Sequence, residues 1–583
     1  MSSAPPIWNA ISGIGLQHLR RWHPAEPAWR RHPALTFAGI VRHRLPMWSW
    51  QRDMSDQRKN GSTADRPTRE VELKLAASPE TLEALARLPW LLSKAESRTT
   101  RRLVSTYFDT PDLDFRDRSL SLRIRRVGRR KIQTLKTAGD RHAVIAGRGE
   151  WQVDVGSDVP DLSAFADRRA QELVGALPAG SLGPIFETRL RRQAICLVWP
   201  ATDLGDARIE MALDRGEVVA GRQRLSVSQV ELELLDGPPE ALLELAAALR
   251  GEAPLRISRL DKAAMGYGLL TGIPPAHTKA RRLPLESSRT AEEAMQAVFR
   301  HCLAHALANE QVAVDGRNPE GVHQLRVALR RLRSALTVFT PLLPVEQWTR
   351  WKDEARWLLG ALGNSRDLDV MSGKLLPGLD NAIVADAAME AFRSAAAERS
   401  AVARAEARVA ISSQRAGDFF LDFAGWVEKR GWRGPAVGGR GDQPVRIFAA
   451  RAARSRFRKL RKAGKGFRRL DASGRHEVRL QAKKLRYCLE FFADALDRPE
   501  VGRQLAELTR LLDLLGLRND IAAAGRLVDD LVDTASDREK PGVARAGGVM
   551  LGWHARSAAT MEKQTVRAWR AVEALDPDQL AGS

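Results

Sequence analysis

The segment EVELKL carries Glu70, Glu72 and Lys74 at alternate positions, and alternate side chains of a β-strand share one face. The pattern recurs. LSLRIR carries Arg123 and Arg125, GEWQV carries Glu150 with Gln152, RIEMALD carries Glu210, and VELEL carries Glu231 and Glu233. Acid pairs and base pairs fall on separate strands, which gathers carboxylates as hard oxygen ligands for metal ions and cations for an anionic ligand. Alternation of charge and hydrophobe also describes a sheet with one wet face. Strand by strand that reading stays open.

A second set of residues lies in GVHQLRVALRRLRSAL, where His323, Arg326, Arg330 and Arg333 occur with no acid among them. At roughly 100° per residue these four occupy an arc of about 80° on a helix. Leu325, Leu329, Leu332 and Leu336 take a separate arc, so an apolar stripe runs beside a basic one. Like charges at i,i+4 destabilise a helix by about 0.2–0.5 kcal/mol per pair, and a nearby polyanion would remove that cost. The motif returns in GRHEVRLQAKKLRYCL with His476, Arg479, Lys483 and Arg486, 153 positions later, and LLGALGNSRD returns as LLDLLGLRND at the same offset. Upstream of the second copy, Arg451, Arg454, Arg458, Arg461, Lys465 and Arg468 step by 3 and 4 and form another basic stripe. A single charge run is commonly a solvated helix face; a second copy in register favours binding. Single-strand nucleic-acid binders interleave aromatics for base stacking, and these stripes carry almost none, so no sequence-specific nucleic acid is expected. The two histidines are assigned to phosphate contact, not to catalysis.

The elements that must hold these residues differ between the two halves. From Glu70 to about Gly272 short period-two runs are separated by turn-formers at 110–112, 137–140, 213–217 (LDRGE) and 236–239, the pattern of an antiparallel sheet. One or two helices such as PEALLELAAALR interrupt it. Residues 273–285 read as a linker, and from 286 to 575 the period is helical, broken by a Gly/Pro loop at 434–444. Residues 576–583 read as a tail.

The whole chain has 583 residues and a formal net charge of +22, which favours an anionic partner, although a GC-rich genome also encodes arginine freely. Three scattered cysteines without a CxxC pair suggest neither a disulfide framework nor a zinc site. No apolar run is long enough for a membrane span. Residues 1–66 are expected to be an extension without a packed core, or sequence upstream of a start at Met54. A cytoplasmic protein is expected.

The double motif H-x-x-R-x-x-x-[RK]-[RK]-x-R resembles the CHAD family, the conserved-histidine α-helical domain. That resemblance implies a helical bundle whose basic surface binds inorganic polyphosphate through His323, Arg326, Arg330, Arg333, His476, Arg479, Lys483 and Arg486, with Arg454, Arg458 and Arg461 beside them. The ordered set E-x-E-x-K, TYFDTPDLDFRDRSLSLRIR, TLK, VELELLDG and DKAAMGYGLL over residues 67–272 resembles the CYTH family of triphosphate tunnel metalloenzymes. An eight-stranded antiparallel barrel around a charged tunnel is implied, making the chain an α+β multidomain protein. The resemblance further implies Mg²⁺ or Mn²⁺ held by Glu70, Glu72, Glu150, Glu210, Glu231 and Glu233. It implies a triphosphate neutralised by Lys74, Arg123, Arg125, Lys136, Arg148, Arg189, Arg191 and Lys262, with Glu70, Glu72 and Lys74 catalytic. TRLRRQ offers both Arg189 and Arg191 on one strand face. Gln152 and Gln229 stand where family members often have glutamate, which puts the hydrolytic rate in doubt. The expected function is a metal-dependent inorganic triphosphatase coupled to a polyphosphate-binding domain, and the latter implies an association with polyphosphate granules. The alternatives are a non-catalytic polyphosphate scaffold and an enzyme acting on an organic triphosphate, either a cyclase or a thiamine triphosphatase.

Overall fold

Side chains that alternate between charge and Leu, Ile or Val form strands buried on both sides here: the charged face turns inward and the apolar face meets helices. The computed structural model describes residues 68–576, apart from residues 138, 140–143, 176–179, 202–204, 288, 380–386 and 434–439. The N-terminal extension, nearly all of the tail and most of the Gly/Pro loop lie outside the described residues.

The strands are β1 (Thr68–Ala76), β2 (Ala95–Asp109), β3 (Leu120–Val127), β4 (Arg130–Thr137), β5 (Ala146–Asp154), β6 (Gly183–Ala201), β7 (Gly205–Ala220), β8 (Gln223–Asp236) and the short β9 (Arg256–Ile257). All ladders are antiparallel in the order 5-4-3-2-6-7-8-1-9, and β1 also pairs with β5, closing β1–β8 into a barrel. Helices α1 (Pro79–Leu85), α2 (Pro89–Ser93), α3 (Asp114–Asp117), α4 (Arg168–Val174), α5 (Glu240–Glu252) and α6 (Lys262–Thr271) decorate it. Leu73 and Leu75 of β1 are fully buried on the outer face, in one cluster with Leu242 and Leu245 of α5.

One turn expected from sequence is absent. LDRGE at 213–217 lies inside β7, which runs unbroken to Ala220. Gly216 belongs there because a Cβ would come within 2.0 Å of the Arg189 carbonyl oxygen on β6. The glycine serves a close strand approach, not a reversal.

The helical half comprises α7 (Ala291–Asp315), α8 (Glu320–Val338), α9 (Val345–Ala361), α10 (Gly363–Val370), α11 (Ala387–Ser412), α12 (Gln414–Glu428), α13 (Val445–Ala463), α14 (Ala472–Leu496), α15 (Pro499–Thr534), α16 (Lys540–Thr560) and α17 (Glu562–Glu573). Helices α7, α8, α9 and α11 recur as α13, α14, α15 and α16, with α11 and α16 both starting at the 153-residue offset. Leu325, Leu329, Leu332 and Leu336 on α8, and Val478, Ala482, Leu485 and Leu489 on α14, are all at most 1% exposed. The copies differ at the third helix. The first breaks between α9 and α10, whereas α15 runs through 36 residues.

The segment 273–285 carries no regular secondary structure, yet it is strapped to the bundle. Thr278 donates its amide to Asn309 Oδ1 at 2.9 Å and accepts from the Asn309 amide at 2.9 Å, His301 Nε2 meets the Arg281 carbonyl at 3.0 Å, and Leu285 is 1% exposed. Barrel and bundle share an apolar cluster that contains both Leu245 and Phe420. A Cβ on Gly417 of α12 would stand 2.7 Å from Arg256 of β9. Arg250 bridges Asp418 (3.2 Å) and Asp422 (3.0 Å), and Lys429 reaches Glu244 at 2.7 Å. The junction is a packed interface.

Candidate functional site: a charged barrel lumen and a basic helical cluster

Strand parity aims the charges. Glu70, Glu72 and Lys74 of β1 face inward and are 9%, 3% and 8% exposed. Glu70 and Lys74 join Arg123 and Arg125 (β3), Lys136 (β4), Arg148, Glu150 and Gln152 (β5), and Glu231 and Glu233 (β8) around a cavity of about 90 Å³. That is about the volume of three liquid waters, because ion pairs fill the lumen. Lys136 Nζ binds Glu70 (2.8 Å) and Glu150 (3.1 Å); Arg148 binds Glu70 (2.7 Å) and Glu72 (2.8 Å); Lys74 pairs with Glu72.

Helix α6 completes the lumen. Asp261 caps it by accepting from the Ala264 amide at 2.7 Å, which sends Lys262 inward to Glu231 (2.6 Å) and Asp214 (2.7 Å). Gly266 admits the Phe186 ring, whose nearest carbon would be 2.1 Å from a Cβ. Tyr267 donates to Asp109 at 2.7 Å, and Asp109 also accepts the Phe115 and Arg116 amides. The segments TYFDTPD and DKAAMGYG thus meet through one buried carboxylate.

Arg192 and Asp214 are inward residues that escaped the sequence reading. Arg192 binds Asp214 (2.6 Å) and Glu231 (2.5 Å), and Asp214 is 0% exposed. Arg189 and Arg191, expected to meet the anion, are exposed on the outer face of β6, and Arg189 pairs with Glu187 at 2.9 Å. The missed signal was parity. Phe186 and Leu190 are buried at positions of the same parity as Arg192, so the inner face of TRLRR belongs to Arg192. Asp214 was hidden by the turn assigned to LDRGE. Gln229 is 2% exposed and donates to the Leu260 carbonyl (3.1 Å), holding the approach to α6; Gln152 lines the cavity and donates to Glu150 at 2.8 Å.

The charges are unevenly compensated. Burial works against ionised Glu70 and Glu231, but Lys136 and Arg148 for the first, and Lys262 and Arg192 for the second, hold both carboxyls well below the usual range. Arg125 has the opposite problem: burial, then the charges of Arg123 and Arg192, push its pKa down to about 9. Burial and the neighbouring Arg148 and Arg123 lower Lys136 as well. Glu233 is pushed up to about 7 by burial and by the charge of Glu70, with Glu150 and Glu210 adding to it. The ladders set Glu72, Glu233 and Glu210 side by side on β1, β8 and β7, and like charges directly opposite repel. A divalent cation would relieve that row, and its donors are the hard oxygens such an ion takes. The row is not a finished cage: among the described residues no three His, Cys, Asp or Glu side chains converge on one point.

In the bundle, the basic stripes of the two copies converge. Burial, then the charges of Arg479, Arg330 and Arg486, push the Lys483 pKa down to about 7, so a residue of α8 acts on α14. Arg326 is pushed down to about 10 by burial and by Arg330. Its guanidinium donates to the Leu359 carbonyl at 2.6 Å and lies beside Gly363, as that of Arg479 lies beside the equivalent Gly516. Arg333 is half-buried near Arg356, and Arg486 reaches Glu490 at 3.3 Å. The two histidines differ: His323 is pushed down to about 4 by burial and by Arg366, whereas His476 is exposed. The stripe on α13 lies on a helix packed against α14. Arg458 and Arg461 are exposed, Arg461 donates to the Leu575 carbonyl, and the charges acting on Lys483 come from α8, α14 and α15. Arg454 is partly buried on the same helix.

Comparison with known proteins agrees with this division. The CYTH domain model matches residues 68–267 and the CHAD domain model residues 297–529. An inorganic triphosphatase of Haemophilus influenzae is 30% identical over 201 residues, which is 34% of this chain and 54% of that protein, so the match spans about half of the relative. An uncharacterized protein of Mycobacterium tuberculosis is 26% identical over 456 residues, 73% of this chain and 83% of that one. The CHAD domain from the plant Ricinus communis is 28% identical and covers 52% of this chain and 98% of its own, with a TM-score of 0.45. Among the described residues no helix is long and apolar enough to cross a membrane. With the closed barrel under the first family model and the repeated bundle under the second, the chain belongs to the two-domain CYTH–CHAD architecture.

Proposed function

We propose that the barrel hydrolyses inorganic triphosphate or short polyphosphate with the help of Mg²⁺ or Mn²⁺, and that the bundle holds longer polyphosphate. The observation that carries this reading is the mismatch inside one lumen. Arg125 is a cation short of counter-charge, while Glu233 is a carboxyl crowded by others. An anion that arrives with a divalent cation satisfies both.

In this reading Lys74, Arg123, Arg125, Lys136, Arg148, Arg192 and Lys262 exchange their internal carboxylate partners for phosphate oxygens and neutralise the chain. Glu72, Glu233 and Glu210 hold the ion, with Glu70, Glu150 and Glu231 orienting the cations around it. A bound divalent cation supplies polarisation of a phosphoryl oxygen and acidification of a water. The protein's share is positioning and charge stabilisation, as in phosphoryl transfer generally. The similarity to the Haemophilus enzyme supports a triphosphatase-type activity. Convergence of Arg326, Arg330, Arg479 and Lys483 supports polyphosphate as the bundle's ligand, because forked guanidinium donors match phosphate.

A second reading, capture of a chain end without hydrolysis, is favoured by Gln152, an amide in the lumen beside Glu150. Phosphate release from triphosphate separates the two. Wild type should release phosphate only with Mg²⁺ or Mn²⁺, and Glu72→Ala and Lys74→Ala should each fall at least about 10²-fold, the scale of losing one electrostatic stabiliser. Equal rates in all three proteins would leave capture as the function. Cyclic product from ATP would move the activity to organic triphosphates.

A further inference from the structure

A cavity in the bundle lies outside the barrel lumen and shares only Arg486 with the repeated basic stripe. It measures about 520 Å³ and opens between α8, α14, the start of α15 and residues 280–282 of the interdomain strap. Arg281, Arg282, Arg331, Arg486 and Arg498 line it against one carboxylate, Glu490. Arg331 is 4% exposed and pairs with Glu490, while its Nε is buried without a hydrogen-bond partner. Its guanidinium lies 5.8 Å from the Tyr487 ring and 5.0 Å from that of Phe491. The remaining wall is apolar, built chiefly from Val327, Val501 and Leu505.

This cavity is not a copy of what the repeat supplies. At the 153-residue offset, Ser334 and Thr337 stand where Tyr487 and Glu490 stand in the second copy. The aromatic face and the lone acid are additions to the second half. An inorganic phosphate chain has no use for an apolar wall, and a wholly apolar ligand would leave several guanidinium groups desolvated at a cost. The volume falls within the roughly 300–1,000 Å³ of small-molecule sites.

We propose that the cavity binds a small organic phosphate, its phosphate among Arg331, Arg486 and Arg498 and its apolar body against Val327, Val501 and Leu505. The site is independent of the barrel reaction. Because Arg281 and Arg282 lie on the strap between the domains, an occupant touches the connection between barrel and bundle.

Calorimetric titration of the full chain with phenyl phosphate tests this, with inorganic phosphate and phenol as the two halves of the probe. Phenyl phosphate should bind at least tenfold more tightly than either. Gly502 lines the cavity, and a Cβ there would meet no atom within 4 Å. Gly502→Phe therefore fills the space at a helical position where leaving glycine is favourable. It should weaken phenyl phosphate at least tenfold with an unchanged melting temperature, while triphosphate release and polyphosphate affinity stay as in wild type. Arg498→Glu, at an exposed position, should weaken it severalfold. Equal affinity for phenyl phosphate and inorganic phosphate would overturn the proposal, as would indifference to Gly502→Phe. If Gly502→Phe weakened polyphosphate as much as phenyl phosphate, the cavity would be an arm of the polyphosphate surface and the proposal would fall.

Discussion

Barrel lumen and helical cluster both concentrate positive charge, but they bear it differently. In the lumen nearly every cation has a carboxylate within ion-pair distance, and Glu70, Asp214 and Glu231 are held ionised by those partners. In the bundle the cations of the cluster face one another, and burial together with those charges pushes Lys483 down to about 7. A lumen built from exchanging ion pairs can take up an anion and a metal ion together, then return to its own pairs when product leaves. A crowd of under-compensated cations gains only by being covered. The proposed division, turnover in the barrel and retention in the bundle, rests on this contrast.

The largest effect that could break this contrast is in the lumen. Arg192→Ala leaves the fully buried Asp214 and Glu231 to share Lys262 alone, a loss bounded by the about 3–5 kcal/mol of fully unpairing a buried charge. A clear drop in melting temperature and loss of triphosphate turnover are expected. Arg189→Ala on the outer face of the same strand should leave both within about twofold. Similar losses from the two would mean that the lumen's register is wrong.

In the bundle, Arg326→Ala combined with Arg479→Ala should weaken polyphosphate at least tenfold at physiological salt, since charge-assisted hydrogen bonds contribute about 1.5–3 kcal/mol each. DNA of equal charge should compete poorly. If it competes as well as polyphosphate, the cluster is a general polyanion surface.

A smaller effect tests the crowding directly. Lys483 with a pKa near 7 is half-charged at neutral pH, and a bound polyanion raises that pKa, so binding takes up a proton. Polyphosphate affinity should fall severalfold as pH rises from 6 to 8, and Lys483→Arg should flatten the profile, because arginine stays charged. An identical slope in the variant would remove Lys483 from the site. In the barrel the sign is reversed. Glu233 is neutral below about 7 and must lose a proton to hold an ion, so apparent Mg²⁺ affinity should rise over the same range and lose that rise in Glu233→Gln.

Much of this was legible before the fold. Alternation in EVELKL set Glu70, Glu72 and Lys74 against Leu73 and Leu75, and the structure buries the two sets on opposite faces of β1. The constant offset announced the paired helices, because an apolar stripe repeated in register must pack in register. What failed were places where one residue serves two patterns. TRLRR offers bases at both parities, and only the buried Phe186 and Leu190 reveal which is inner. LDRGE looks like a turn because Asp and Gly favour turns, yet Gly216 is required by a strand contact and Asp214 by Arg192. His476 repeats His323 in sequence without sharing its burial, since the helices around the two copies differ.

Turnover and retention can be separated in one crossed assay, with triphosphate release under Mg²⁺ and polyphosphate affinity measured on the same preparations of Glu72→Ala and of the Arg326→Ala, Arg479→Ala double variant. The expected result is that the first loses release and keeps affinity, while the second keeps release and loses affinity. Release and affinity falling together in both proteins would contradict the division of labour between barrel and bundle.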